Sequence, residues 1–175
     1  MALIVEDGTG LATAESYLSV ADADTYHTSR GTAEASWVGL DEDIKEQCLR
    51  RATDYMVQAY RGRWKGYMVL PQTQVLDWPR YQVYPDASFL YTISPSTVPS
   101  EVKKACAELA MRANVASLTS DVAAQGEVTS ESVGPISVTY SVNGQRQVRY
   151  SAIDHTLGPL LVDGGSGAQG TARLG

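Results

Sequence analysis

A chain of 175 residues, 43% of them hydrophobic, can bury a core and suits one domain or one domain with arms. Its net charge of −6 and pI near 4.8 argue against affinity for nucleic-acid phosphates, which Lys and Arg supply. No apolar stretch approaches the roughly 18 residues of a membrane span, and the opening MALIVEDGTG lacks the basic start of a signal peptide, so no membrane association is expected.

Residues 1–16, with Gly8, Gly10 and mixed polarity, read as an N-terminal arm with a short strand at 2–5. Ser19 then offers an N-cap with Asp22 three residues on, so carboxylates meet the positive end of a first helix that Gly31 ends. Over residues 41–60, Ile44, Cys48, Leu49, Ala52, Tyr55, Met56, Ala59 and Tyr60 fall at spacings of three and four. That is one helical stripe, opened by Asp41, Glu42 and Asp43 and stopped near Gly62. Residues 62–98 carry Trp64, Trp78, four Tyr and the prolines Pro71, Pro79, Pro85 and Pro95, which preclude a long helix. A structured interaction loop is expected there.

Pro99 opens a third helix with Val102, Ala105, Cys106, Leu109, Ala110 and Ala113 on its buried face, reaching about residue 118. Its stripe and that of the second helix are expected to form the core pair. A hairpin is expected over 128–142, because Ile136, Val138, Tyr140 and Val142 alternate after Gly134-Pro135. A short helix over 151–161 follows, with Ile153, Leu157, Leu160 and Leu161 on one side. Residues 162–175 form a Gly-rich tail. The predicted fold is mainly α: a small helical bundle over 17–161 with a β-hairpin and extended N- and C-terminal arms.

Chemistry is hard to find in this sequence. Gly8-Thr9-Gly10 lacks the spacing and the Lys of a phosphate loop. His27 and His155 have no spaced partners for a metal and read as surface or helix-end residues. Cys48 and Cys106 lie on helix stripes and read as buried free thiols. No Ser or Cys stands in a nucleophile motif, so no catalytic residue, cofactor or metal is expected, and no enzyme. Two patterns remain. Acids dominate up to Asp43 and bases from Ile44 to Arg80, which suits complementary subunit edges or simply solvated faces. Arg50, Arg51, Arg61, Arg63 and Lys65, near Tyr60, Trp64 and Tyr67, resemble a single-strand binding groove.

The order of several segments is more specific than any one of them. The opening MALIVEDGTGLATAESYLSVADADTYH, the run Leu49-Arg50-Arg51-Ala52-Thr53-Asp54-Tyr55 and the loop Gln74-Val75-Leu76-Asp77-Trp78-Pro79-Arg80 resemble a family of small phage proteins encoded among head and tail genes. So do Val98-Pro99 with Val102-Lys103-Lys104-Ala105-Cys106-Ala107-Glu108-Leu109-Ala110, and Val133-Gly134-Pro135-Ile136-Ser137-Val138-Thr139-Tyr140. Members carry the description of a primosome-like single-stranded-DNA-binding protein, and their helices plus hairpin are similar to head–tail adaptors of long-tailed phages. The resemblance to adaptors implies a homo-oligomeric ring of about twelve copies below a portal protein, with a tail or stopper protein on its other side. Genomic DNA would pass the lumen without specific binding. The protein would be assembled in the host cytoplasm and located in the virion neck. Trp78, Pro79, Arg80, Arg61, Arg63, Trp64, Tyr140, Leu160 and Leu161 are expected at subunit or portal contacts. The alternative is single-stranded-DNA binding in phage replication.

Overall fold

The computed structural model describes residues 2–31, 37–86, 90–119, 130–133, 136–139 and 150–162, of which 130–139 are described by backbone alone. The described architecture is mainly helical, with two small antiparallel ribbons.

Helix α1 (Val20–Thr28) starts where its cap was expected. The Ser19 side chain accepts from the Asp22 amide at 3.1 Å and donates to the Asp22 carboxylate at 2.8 Å. Helix α2 (Glu42–Tyr60) buries Cys48, Leu49, Ala52, Tyr55, Met56 and Tyr60. Its stripe is rotated slightly from the sequence expectation: Ile44 is 36% exposed, while Lys45 turns inward to Asp24 at 2.9 Å. Helix α3 (Ser100–Val115) begins after Pro99 and packs along α2 through Val102, Ala105, Cys106, Leu109, Ala110 and Ala113. Small side chains on that face let the two backbones approach closely. The helix stops three residues short of the expected end because Ala116 turns extended.

Helix α4 (Ser151–Leu157) lies on α3 and tightens into a 3₁₀ turn over Gly158–Leu160. Pro159, which has no N–H to donate, ends the α-helical ladder there. Within the loop 62–98, strand β1 (Tyr67–Met68) pairs antiparallel with β2 (Arg80–Tyr81), Tyr67 opposite Tyr81. Gly66 makes the turn into β1 at φ +64, and a Cβ there would lie 2.2 Å from the Tyr81 carbonyl oxygen. Only glycine fits that approach. The expected hairpin is present as β3 (Ser130–Val133) and β4 (Ile136–Thr139), in register Val133 to Ile136. Its turn Gly134-Pro135, its ends at 128–129 and 140–142, and the Gly-rich tail from 163 on lie outside the described residues.

The arm read from the sequence over residues 1–16 is tied to the body along its described residues, 2–16. The Glu6 and Ser16 amides both reach across the loop, to Ser16 O at 2.8 Å and Ile4 O at 3.2 Å, and the Leu3 amide donates to Glu46 at 3.1 Å. The carboxylate of Glu6, 1% exposed, accepts from the amides of Gly8, Gly10 and Leu11, each at 2.9 Å. A carboxylate can be buried there because backbone donors replace its water.

Candidate functional site

Six residues expected at contacts between subunits, Trp64, Trp78, Pro79, Arg80, Leu160 and Leu161, are buried within this subunit. They hold the loop 62–98 onto the end of α2, so they are not available to a partner. Asp77 is the hub that sequence reasoning missed. At 1% exposure its carboxylate accepts from Arg61 Nε at 2.9 Å and from Trp64 Nε1 at 3.2 Å. Its amide donates to the Tyr17 hydroxyl at 3.0 Å. Burial, and then the Asp77 charge nearby, push the Tyr17 pKa far up, so this phenol stays protonated. Trp64 and Trp78 meet edge to face with centroids 5.7 Å apart.

Arg80, 8% exposed, donates to three carbonyls: Lys65 at 2.8 Å, Gly66 at 2.7 Å and Asp77 at 3.2 Å. Its planar fork clamps the turn that leads into β1. Leu160 and Leu161 dock the end of the α4 segment on the same loop: the Lys65 amide donates to Leu160 O at 2.9 Å, and the Val162 amide to Arg63 O at 2.7 Å.

Arg61 and Arg63 remain partly open, their side chains 57% and 41% exposed. Each is engaged: Arg61 with Asp77 and with Val75 O at 3.1 Å, Arg63 with Asp154 at 3.6 Å and over the Tyr60 ring at 5.3 Å. Tyr60 itself is buried and donates to Asp154 at 2.9 Å; burial, then that bond, raise its pKa. Lys65 Nζ donates to Tyr84 O at 3.3 Å and to Pro159 O at 2.9 Å. Arg50 pairs with Glu15 and Glu46, at 3.1 and 3.2 Å, and Arg51 donates to Ala113 O at 3.1 Å. Of the aromatics that resemble a single-strand groove, Tyr60 and Trp64 face the core, while Tyr67 is exposed. Tyr140 lies outside the described residues.

What this end of α2 does present is aromatic. Tyr67 and Tyr81, 61% and 42% exposed, stand side by side on the β1–β2 ribbon with centroids 5.6 Å apart and planes at 34°. Leu70 and Val75 are exposed on the same loop. At the other end of α2, an open cleft of about 470 Å³ lies against α1, with Val20, Ala21 and Leu40 beside Asp24, Asp41, Glu42 and Lys45.

His27, expected at the surface or a helix end, sits near the end of α1 but is fully buried, with Nε2 3.2 Å from Ala107 O and its ring 5.1 Å from Trp37. Ala23 and His27, four apart, share the face that α1 turns to the core. Cys48 and Cys106 are free and buried, as expected, and burial raises both thiol pKa values. Among the described residues no group of His, Cys, Asp or Glu is placed to hold a metal ion, and no helix is long and apolar enough to cross a membrane.

No curated protein and no solved structure matches the chain. A family model described as "Putative DnaT-like ssDNA binding protein" matches residues 1–175, the whole chain, and the protein belongs to that family.

Proposed function

We propose that this protein is a structural component of a phage virion rather than an enzyme. In this proposal it is a head–tail adaptor whose copies form a ring below the portal and join the capsid to the tail. Its lumen passes DNA without specific binding, and its place is the virion neck, after assembly in the host cytoplasm. What favours this reading over a nucleic-acid groove is the engagement of the 60–80 segment with its own fold. Arg61, Arg63, Lys65 and Arg80 bond internal carboxylates and carbonyls, and Tyr60, Trp64 and Trp78 pack inward. A net charge of −6 further disfavours a nucleic-acid groove.

The second reading is single-stranded DNA binding, which the family description favours directly. Its physical foothold is the exposed Tyr67–Tyr81 pair, since aromatic rings stack with any base.

Two measurements separate them. Electron microscopy of particles with and without the gene should show a ring under the portal and tailless heads when it is deleted; tails retained on deletion particles refute the adaptor. Fluorescence anisotropy with a labelled oligothymidylate at low salt should show no binding. Affinity that falls steeply with salt, and falls again in Tyr67→Ser, would establish the second reading instead.

A further inference from the structure

Helix α2 has 19 residues, about 28 Å at 1.5 Å per residue, and its two ends carry unlike surfaces. The C-terminal end holds the Tyr67–Tyr81 pair, fixed in place by the Arg61–Asp77 bond and the Arg80 clamp. The N-terminal end holds the open cleft between α1 and α2, where Val20, Ala21 and Leu40 line the same space as the carboxylates of Asp41 and Glu42. Both carboxylates are exposed and stand beside one inward-turned cation, Lys45.

We infer that the Tyr67–Tyr81 pair of one copy seats in the α1–α2 cleft of the next copy. This deepens the ring reading above and rests on it. The chemistry matches at each level. Two adjacent phenol rings bring apolar faces to Val20, Ala21 and Leu40, and their hydroxyls donate to the cleft carboxylates, which only accept. Arg61 and Arg63 follow directly on the C-terminal end of α2 and, although paired with Asp77 and Asp154, keep side chains 57% and 41% exposed, so the knob end still shows positive charge to Asp41 and Glu42. A knob at one end and a socket at the other make a head-to-tail contact. Such a contact repeats from copy to copy and closes into a ring if the rotation allows. The same surfaces could instead pair reciprocally about a two-fold axis, so a wild type that stops at two copies would overturn the head-to-tail form of this contact.

The test uses two variants of the full chain, each changed only at exposed positions. One lacks the knob, Tyr67→Ser with Tyr81→Ser; the other has the socket blocked, Ala21→Arg with Glu42→Lys. Circular dichroism melts check that both fold like the wild type. Sedimentation velocity should show the wild type associating and each variant alone as a monomer. Mixing the variants leaves one good knob and one good socket, so a two-copy species should form and nothing larger. A wild type that stays monomeric, a knobless variant that assembles normally, or a mixture that stays monomeric while the wild type associates would each overturn the inference. Particle microscopy decides the neck assignment separately: a ring seen there while the variants still assemble would sink this contact and leave the adaptor standing.

Discussion

Trp78 is fully buried, edge-on to Trp64, and frames the loop that closes one end of the core. Trp78→Ala removes a large side chain from a packed interior, so it should cost about 4 kcal/mol in urea unfolding at 25 °C. A loss under about 1 kcal/mol would mean that the site collapses freely and that the loop does not depend on it. Arg61 illustrates a different economy. Its guanidinium is largely exposed, yet it faces a carboxylate that is 1% exposed. Arg61→Met should therefore cost about 2 kcal/mol, far more than an ordinary surface change, because Asp77 loses its charged partner while staying buried. The double variant with Asp77→Asn should recover part of that loss. His27 supplies a pH dependence. Burial lowers its pKa, against the raising effects of the Ala107 carbonyl, Glu108 and Asp24, with Arg30 adding to the decrease. The unfolded chain therefore takes up a proton before the folded one does. The stability from the neutral ring is present above about pH 6.5 and is lost as pH falls from there toward the lowered folded value. Urea midpoints should drop over that window in the wild type and drop less in His27→Gln; equal slopes would show that the ring does not titrate differently in the fold.

At the scale of elements, legibility followed length. Helices α2 and α3 repeat their apolar spacing over several turns, and the core pair they form was readable from Cys48, Leu49, Ala52, Cys106, Leu109 and Ala110. The Ser19 cap was readable too, because its chemistry is local. The β1–β2 ribbon was not, since two-residue strands have no period to detect. Its register depends on contacts distant in sequence, such as Arg80 with the carbonyls of Lys65 and Gly66. How residues 2–16 are tied down was illegible for a similar reason: Glu6 looks like a surface acid until Gly8, Gly10 and Leu11 fold around it. The ribbon makes its own prediction. Gly66→Ala places a Cβ against the Tyr81 carbonyl at a positive φ, so it should cost more than about 2 kcal/mol and free the ribbon. Amide exchange at Val69, whose N–H donates to Pro79 O at 3.3 Å, should accelerate in that variant; unchanged exchange would show that the turn relaxes without cost.

The same split governs the whole molecule. Six of the residues expected at contacts, Trp64, Trp78, Pro79, Arg80, Leu160 and Leu161, are buried by the subunit itself, because burial within a chain and burial between chains draw on the same side chains. Tyr67 drew notice beside the basic run, but its pairing with an exposed Tyr81 did not, because nothing in the letters tells an outward tyrosine from an inward one such as Tyr17. What joins the two ends is α2, and it implies one cooperative unit. Trp37 packs at one end against His27, with Nε1 donating to Asp24 at 2.6 Å, while Trp64 and Trp78 report on the other. If α2 transmits loss of packing along its length, the two ends cannot unfold separately. Trp37→Phe leaves indoles only at the ribbon end, and its fluorescence melt should coincide with the far-UV circular dichroism melt of the helices. Wild type, with reporters at both ends, should show the same single transition. A fluorescence change at lower temperature in Trp37→Phe, with helicity intact, would instead reveal that the aromatic loop opens as a unit of its own, able to move while the helical body holds.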